Sequence, residues 1–443
     1  YSDDECGEYS ASSDSVAQGF LTIATMDLSD EDLNMRVNHI GSSWAHVYSS
    51  QDALVFAEPA NDWWWFWGND DYEDATNIHV FDISDHGYTT YVASGRVLGT
   101  VQDQFSISEY EGVIRVASTT DAWGRWWIMD QIDPETGLST FTGPSNRVTI
   151  LNPDGSGNLD QIGLVDGIAD GERIWSARFI GDRGYLVTFE TIDPLWVLDL
   201  SDPYEPVILG ELEVPGVSTY IHPVNENTLL TIGIGPGEDG LGLDWSTTQV
   251  SLFDVSDPTN PTLADSMKLT PAYSDSQCED IRYCGWTWSW SEATYEHKAF
   301  TFWPPDSILA VPLSTYRYVY DEDGYSGYEY VSVLKMIDVD TENLSLGSHG
   351  EIDHSSFYND ENGDTTWWHS YSTSIRRSIF MGDFVYAFSA LGISVHSTDN
   401  LSTTETLLIP GQENPFSQEM EESEDADSKD YDCEGSAGDE CQD

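Results

Sequence analysis

The tetrapeptide Asp-[Leu/Ile/Val]-Ser-Asp occurs at 27–30, 82–85, 199–202 and 254–257, each time closing a run of β-branched or aromatic residues (LTIATMDLSD, IHVFDISD, LWVLDLSD, VSLFDVSD). Looser copies stand at 148–155 (VTILNPDG), 334–342 (LKMIDVDTE) and 393–400 (ISVHSTDN). Seven related strand–turn units about 45–85 residues apart are the mark of a repeat fold. Each unit buries its apolar face only against a neighbour, so the period constrains the whole architecture.

Between the Asp turns lie tight hairpins: HVYSSQDALVFA (46–57), QFSISEYEGVIRVAS (104–118), RFIGDRGYLVTF (178–189), HPVNENTLLTIG (222–233), HKAFTFWPPDSILAVP (297–312) and RSIFMGDFVYAFS (377–389). Short Gly/Asn/Asp turns between such runs are hairpin signals. A hairpin (strands A and B) followed by an Asp-turn pair (C and D) makes four strands per repeat. The chain is therefore expected to be all-β, a β-propeller of four-stranded antiparallel blades, seven or eight in number. Residues 18–41 supply only a C–D pair, which would leave sheet edges open. An upstream segment, absent here, is expected to complete the ring, cleaved off and still bound. The predicted layout is an N-terminal loop segment at 1–17, the propeller at 18–411 and an acidic flexible tail at 412–443.

The chain has 443 residues, 16 of them Lys or Arg against 79 Asp or Glu, for a formal charge of −63. Such a field repels nucleic-acid phosphates and anionic lipid heads, attracts divalent cations, and suits a salty, halophilic setting where screening weakens self-repulsion. No apolar run is long enough to insert in a membrane. Tyr1 begins neither an initiator Met nor a signal peptide, which reads as a processed product or a fragment. Five cysteines point to an oxidising compartment. Cys278 with Cys284, and Cys433 with Cys441, are each placed to close a local disulfide, leaving Cys6 over.

Several stretches resemble a known family: NIHVFDIS (77–84), VASGRVLGTVQDQFSISEYEGVIRVAST (92–119), ERIWSARFIGDRGYLVTFETIDPLWVLDLSDPYEPVILGELEVPG (172–216), YIHPVNENTLLTIGIG (220–235), SLFDVSDPTNP (251–261) and EHKAF (296–300). They are similar to secreted bacterial and archaeal proteins with a C-terminal β-propeller distantly related to WD repeats. The resemblance implies export, a propeller fold and a longer N-terminal region. It implies no catalytic residues, so function has to be argued from the site.

The insertions 58–76, 119–146, 234–248, 269–294, 313–329 and 353–374 all fall in B–C or D–A connections, which share one face of a propeller. They carry Trp63, Trp64, Trp65, Trp67, Trp126, Trp127, Trp286, Trp288, Trp290, Trp367 and Trp368, interleaved with acidic residues. Indole faces beside carboxylates suit a protein interface or the stacking of sugar rings, and equally suit packing on each other as a lid.

The turn containing Asn152, Asp154, Ser156 and Asp160, with Gly157 at position 6, has the spacing of a calcium loop and also of an ordinary hairpin turn. Asp321 with Asp323, and Asp360 with Asn362 and Asp364, are comparable calcium candidates. His46, Arg178, His222 and Arg377 each precede a B-strand residue (Leu54, Leu186, Leu230, Val385) by eight positions, and His297 holds the like place in a longer hairpin. These five basic side chains are candidates to ring the axis, where they would bind an anion or, through the histidines, a transition metal, or else only hydrogen-bond between blades.

No nucleophile elbow, P-loop or zinc-protease motif is present. The expected function is a secreted or cell-surface, calcium-stabilised binding and assembly propeller. It would engage a protein partner or its own cleaved N-terminal segment through the Trp-rich acidic face, with a glycan as another ligand. The alternative is an extracellular metal- or carboxylate-dependent hydrolase or oxidoreductase with its site near the axis.

Overall fold

The computed structural model describes residues 9–11, 19–29, 35–42, 44–60, 74–85, 87–120, 143–189, 193–237, 240, 242–270, 288–321, 324–354, 357 and 374–409. Among these residues the regular structure is strands and a few 3-10 turns, in seven sheets. The first holds β1 (Tyr9–Ala11), β2 (Phe20–Met26) and β3 (Met35–Gly41) in the order β1-β3-β2. The second holds β4 (His46–Ser49), β5 (Ala53–Pro59), β6 (Ala75–Asp82) and β7 (Thr90–Leu98); the third, β8 (Ile107–Tyr110), β9 (Val113–Thr120), β10 (Ser145–Pro153) and β11 (Leu159–Ile168). The fourth holds β12 (Arg173–Ile180), β13 (Arg183–Phe189), β14 (Asp193–Asp199) and β15 (Val207–Val214); the fifth, β16 (Val217–Asn225), β17 (Thr228–Pro236), β18 (Leu243–Asp254) and β19 (Thr262–Lys268). The sixth holds β20 (Trp288–Trp290), β21 (Thr301–Trp303), β22 (Ile308–Asp321), β23 (Gly324–Asp340) and β24 (Ser345–Asp353). The seventh holds β25 (Arg377–Met381), β26 (Phe384–Phe388), β27 (Gly392–Ser397) and β28 (Thr403–Leu408). Among the described residues the second to fifth and the seventh sheets are thus four-stranded antiparallel blades in consecutive A-B-C-D order.

The Asp-x-Ser motif has a local cause. Oδ1 of Asp27, Asp82, Asp199 and Asp254 lies 2.8, 2.8, 3.0 and 2.9 Å from the backbone N of the serine two residues on, which donates to it. Asp154 accepts from Ser156 N at 2.7 Å and Asp340 from Glu342 N at 2.9 Å, so two of the looser copies form an Asx turn two residues further on. Replacing Asp199 with Ala is expected to lower stability by roughly 1 kcal/mol, with Asn, which keeps an acceptor, costing less. The midpoint of urea unfolding reads both.

By chain contacts the protein divides into two compact units, Tyr1–Thr270 with Thr287–Leu309 and Ile337–His349, and Pro271–Trp286 with Ala310–Met336 and Gly350–Asp443. In the first unit, successive sheets pack through alternate strand residues. Ile23 and Ile40 meet Phe56 and Phe81; Val55, Ile78 and Val80 meet Ile107, Ile114 and Val116; Val148 and Ile150 meet Leu186 and Leu198; Val187 and Val197 meet Ile221 and Phe253. The third strand β6, bounded by a strand on each side, is accordingly buried from Ala75 to Phe81, its polar Thr76, Asn77 and His79 included.

Four features differ from expectation. Residues 9–11, inside the expected N-terminal loop segment, form β1, which pairs in parallel with β3. His297 starts a 3-10 turn, His297–Ala299, rather than a strand. The insertion at 313–329 is largely strand, since the Tyr/Val alternation of TYRYVYD and GYSGYEYVSV extends β22 and β23 into a long hairpin. Finally, the eight-residue spacing is not one register. His222 does face Leu230, but His46 faces Ala57, Arg178 faces Tyr185 and Arg377 faces Phe388.

The fourth strands share a device that carries no sequence motif. β7, β11, β15, β19 and β28 each hold a register shift against the third strand, leaving one extra residue: Val92, Ile162, Leu209, Ala264 and Thr404. Bulges sharpen the local twist. In β11 and β15 the residue after the bulge is Gly163 or Gly210. A Cβ there would lie 2.1 Å from Pro203 O and 2.5 Å from Pro258 O, in the Asp turn of the following sheet.

Candidate functional site

Four first-strand regions of the first unit converge. β4 opens on His46. Before β8, Asp103 caps the 3-10 turn Gln104–Ser106, its Oδ1 accepting from Phe105 N at 2.9 Å, Ser106 N at 3.1 Å and Ser106 Oγ at 3.2 Å. β12 brings Arg178 and β16 brings Tyr220 and His222, while Glu296 caps the turn that carries His297. Phe105 is the hub. Its ring lies 4.8 Å from that of His297, 5.3 Å from Tyr220, and 4.7 Å from the Arg178 guanidinium, which sits over its face.

His222 is flanked by Phe300 at 5.4 Å and Phe302 at 5.6 Å, with the Tyr220 hydroxyl 3.4 Å from its Nδ1. His46 stacks edgewise on Trp44 at 4.3 Å, and its Nε2 donates to Val101 O at 3.1 Å. Gln104 Nε2 donates to His297 Nε2 at 3.3 Å. Between these groups lies a cavity of about 340 Å³ lined by Trp44, His46, Asp103, Gln104, Tyr220, Glu296 and His297, among others.

Burial governs the electrostatics. It depresses His222 to about 4, helped by the Arg178 charge. It also lowers His46, against the pull of Asp103, and lowers His297. Asp103 is raised by burial, partly offset by its backbone donors, and the Tyr220 hydroxyl is raised by burial too. The cavity therefore presents the imidazoles of His46 and His297, held towards their neutral forms, and the Asp103 carboxyl, held above its ordinary range. It can pass hydrogen bonds in either direction to a small polar guest.

The structure places His46 and His297 at this cavity, Arg178 over Phe105 and His222 beside Tyr220. Arg377 lies on β25 in the second unit, where its Nη1 donates to Arg376 O at 2.6 Å. Asp103, Gln104, Phe105 and Tyr220 join His46 and His297 at the cavity without a motif of their own in the sequence. Only the Asp-x-x-Ser cap before QFSIS signalled the first of them.

At the first calcium candidate, the turn supplies donors to its own carboxylate. Asp154 Oδ1 accepts from Ser156 N and Asn158 N at 2.7 and 3.0 Å, and Oδ2 from Ser156 Oγ and Asn158 Nδ2 at 2.5 and 2.9 Å. These bonds hold Asp154 well below the usual carboxylate range. Asn152 and Asp160 face each other across β10 and β11, and a cation would have to displace Ser156 and Asn158. Among the described residues no three His, Cys, Asp or Glu side chains group as metal ligands. Asp321 ends β22, its side chain outside the described residues, where Asp323, Asp360, Asn362 and Asp364 also lie. The same holds for Cys278, Cys284, Cys433 and Cys441, and for Trp63, Trp64, Trp65, Trp67, Trp126, Trp127, Trp286, Trp367 and Trp368. Trp288 and Trp290 form the ends of β20.

The second unit holds a polar relay with no counterpart in the sequence reading. Ser394 Oγ is 2.6 Å from His354 Nε2 and 2.8 Å from His396 Nε2, while His396 Nδ1 is 3.0 Å from Leu401 O. Leu401 O can only accept, so His396 carries its proton on Nδ1 and accepts from Ser394 at Nε2. Ser394 then accepts from the Nε2–H of His354, leaving Nδ1 of that ring buried with no hydrogen-bond partner among the described residues. Both rings are neutral in this chain of bonds.

The family described as Beta propeller domain matches residues 3–401. The chain is 35% identical over 229 residues to an uncharacterized protein of Methanocaldococcus jannaschii, covering 52% of this chain and 30% of that one. It is 33% identical over 229 residues to an uncharacterized protein of Archaeoglobus fulgidus, covering 52% of this chain and 29% of that one. The alignment thus spans less than a third of the length of these relatives.

Proposed function

The chain belongs to the β-propeller domain family, and from that premise we propose a binding and assembly module, secreted or held at the cell surface and braced by calcium. Its partner is a protein, met by the acidic, tryptophan-bearing insertions. One observation carries this reading. The segments 61–73, 121–142 and 322–323 each join a second strand to a third, and 271–287 joins a fourth to the next first. In an antiparallel blade those connections leave from the same strand ends, so within each blade the long connections gather at one end. The opposite ends carry short turns such as Gly181–Asp182 and Glu226–Asn227.

A photo-reactive residue at Asp70 or Asp323, compared with one at Asp182, tests the reading in the native host. Cross-links to one protein from the first two sites only are expected; equal capture at Asp182, or none anywhere, overturns it. Calcium is a separate expectation, supported by the charge of −63 and the Asp-rich insertions. Chelation should lower the unfolding temperature by several degrees and release stoichiometric calcium. An unchanged melt with no metal released removes calcium from the account.

A second reading is favoured by the raised carboxyl of Asp103 beside His46 and His297 at an open cavity. There the propeller would be an extracellular enzyme on polysaccharide or peptide. Asp103→Asn, which keeps the cap, would abolish turnover while leaving the melt in place.

A further inference from the structure

Asp27 and its Asx turn identify β2 as a third strand and β3 as a fourth, by the same bonds that mark β6–β7, β14–β15 and β18–β19. In the other sheets the third strand lies between a second and a fourth. Among the described residues β2 has β3 on one side and is otherwise the edge of its sheet, and β1 adds to the far side of β3. Beside that edge runs a groove of about 510 Å³, walled by Ile23, Thr25 and Met26 on one side and Leu54, Ile83 and Tyr88 on the other.

The neighbouring sheet shows the same gap. Val47 of β4 pairs with Phe56 of β5, so the two side chains share a face. Phe56, with Phe81, is covered by Ile23 and Ile40 of the first sheet. Val47, one strand further in, is 42% exposed and also borders the 340 Å³ cavity beside His46. In the next sheet the corresponding first strand, β8, buries Ile107 against Val55, Ile78 and Val80. What covers β8 is a complete blade; what faces β4 lacks its first two strands.

We propose that β2 is completed by an antiparallel β-hairpin of the same polypeptide lying outside these 443 residues, its inner strands covering Val47 and filling the groove. Little within the 443 residues can supply it from the ends. Segment 12–18 (SSDSVAQ) is too short for two strands, and 410–443 holds no alternating apolar run. The relatives, more than three times the aligned length, have chain to spare. The hairpin's second strand must be apolar on both faces, like Val55-Phe56-Ala57 or Leu229-Leu230, because it pairs on both edges and is stacked upon. This edge is distinct from the insertion-bearing ends, so either site can fail without the other.

Hydrogen exchange of the β2 amides tests this, comparing the recombinant 443-residue chain with the protein isolated from its native source by a C-terminal tag. Alternate amides of Phe20–Met26 should exchange about 100-fold faster in the recombinant chain, and the protecting strands should be sequenced as the same gene product. Val47→Asp should leave the melt of the recombinant chain unchanged, since Val47 is already exposed there, while removing the extra protection in the native protein. Equal exchange in both samples overturns the proposal. So does concentration-dependent protection in the recombinant chain, which would mean a second copy, or a protecting strand from a different gene product.

Discussion

Lowering the pH from 6.5 towards 4 at constant salt is expected to destabilise the second unit, centred on the seventh sheet, by about 3 kcal/mol through His354 alone. His354 is fully buried, and burial with the neighbouring His396 depresses it to about 4 from an ordinary 6.5. A folded value below the unfolded one means the folded state prefers the neutral ring. That preference contributes in full above pH 6.5, fades as pH falls through the window, and is gone below about 4. His396 shifts the same way through burial. In the first unit His222, His46 and His297 follow. Relief of the −63 self-repulsion opposes this only once carboxylates protonate, near the bottom of the window. Protonating His354 also breaks no bond at Nε2 but places a charge on a ring with no acceptor described at Nδ1, which is why the cost is electrostatic. Hydrogen exchange within 377–408 at pH 7.5, 6 and 4.5 gives the local stability. His354→Gln, whose amide can still donate to Ser394, should flatten the profile; a flat wild-type profile would refute the assignment.

Gly163→Ala should cost about 3 kcal/mol and Gly210→Ala nearly as much. The added carbon would sit 2.1 Å from Pro203 O in the first case and 2.5 Å from Pro258 O in the second, and backbone cannot swing aside as a side chain can. Each contact joins the fourth strand of one sheet to the Asp turn of the next, so the loss should spread to both sheets. Gly112→Asn is the control. Gly112 has φ +83° but open space around it, so Asn, which tolerates that conformation, should cost about 1 kcal/mol or less. Midpoints of guanidinium unfolding rank the three. A Gly163→Ala midpoint within error of wild type would show that the fourth strand slides on its bulge at little cost.

The legible parts of this fold were those with local causes. Asp82 and Ser84, or Asp199 and Ser201, close an Asx turn between residues two apart, so the motif can be read without knowing the fold. Hairpins such as Arg183 paired back on Ile180 are equally local. The Tyr/Val alternation at 315–333 is also present in the sequence; Asp321 ends one strand of that hairpin and Gly324 begins the other. The basic side chains of the first strands were singled out through a spacing that proved not to be a register. His46 borders the same cavity as Phe105, and Arg178 lies over Phe105, because successive sheets bring first strands together, not because each sits opposite an equivalent residue.

The sequence by itself determined the repeat, the four strands in each blade, the A-B-C-D order and the family, because turn chemistry and side-chain alternation act over a few residues. Only the tertiary structure decided the rest. It put Phe105 beneath Arg178 and against Tyr220 and His297, 73 to 192 residues apart in sequence. It seated Pro203 on Gly163 and joined His354 to His396 through Ser394. Each of these depends on packing between sheets or between distant strands, where burial moves a pKa or a missing Cβ admits a carbonyl, and no local pattern encodes such a neighbour.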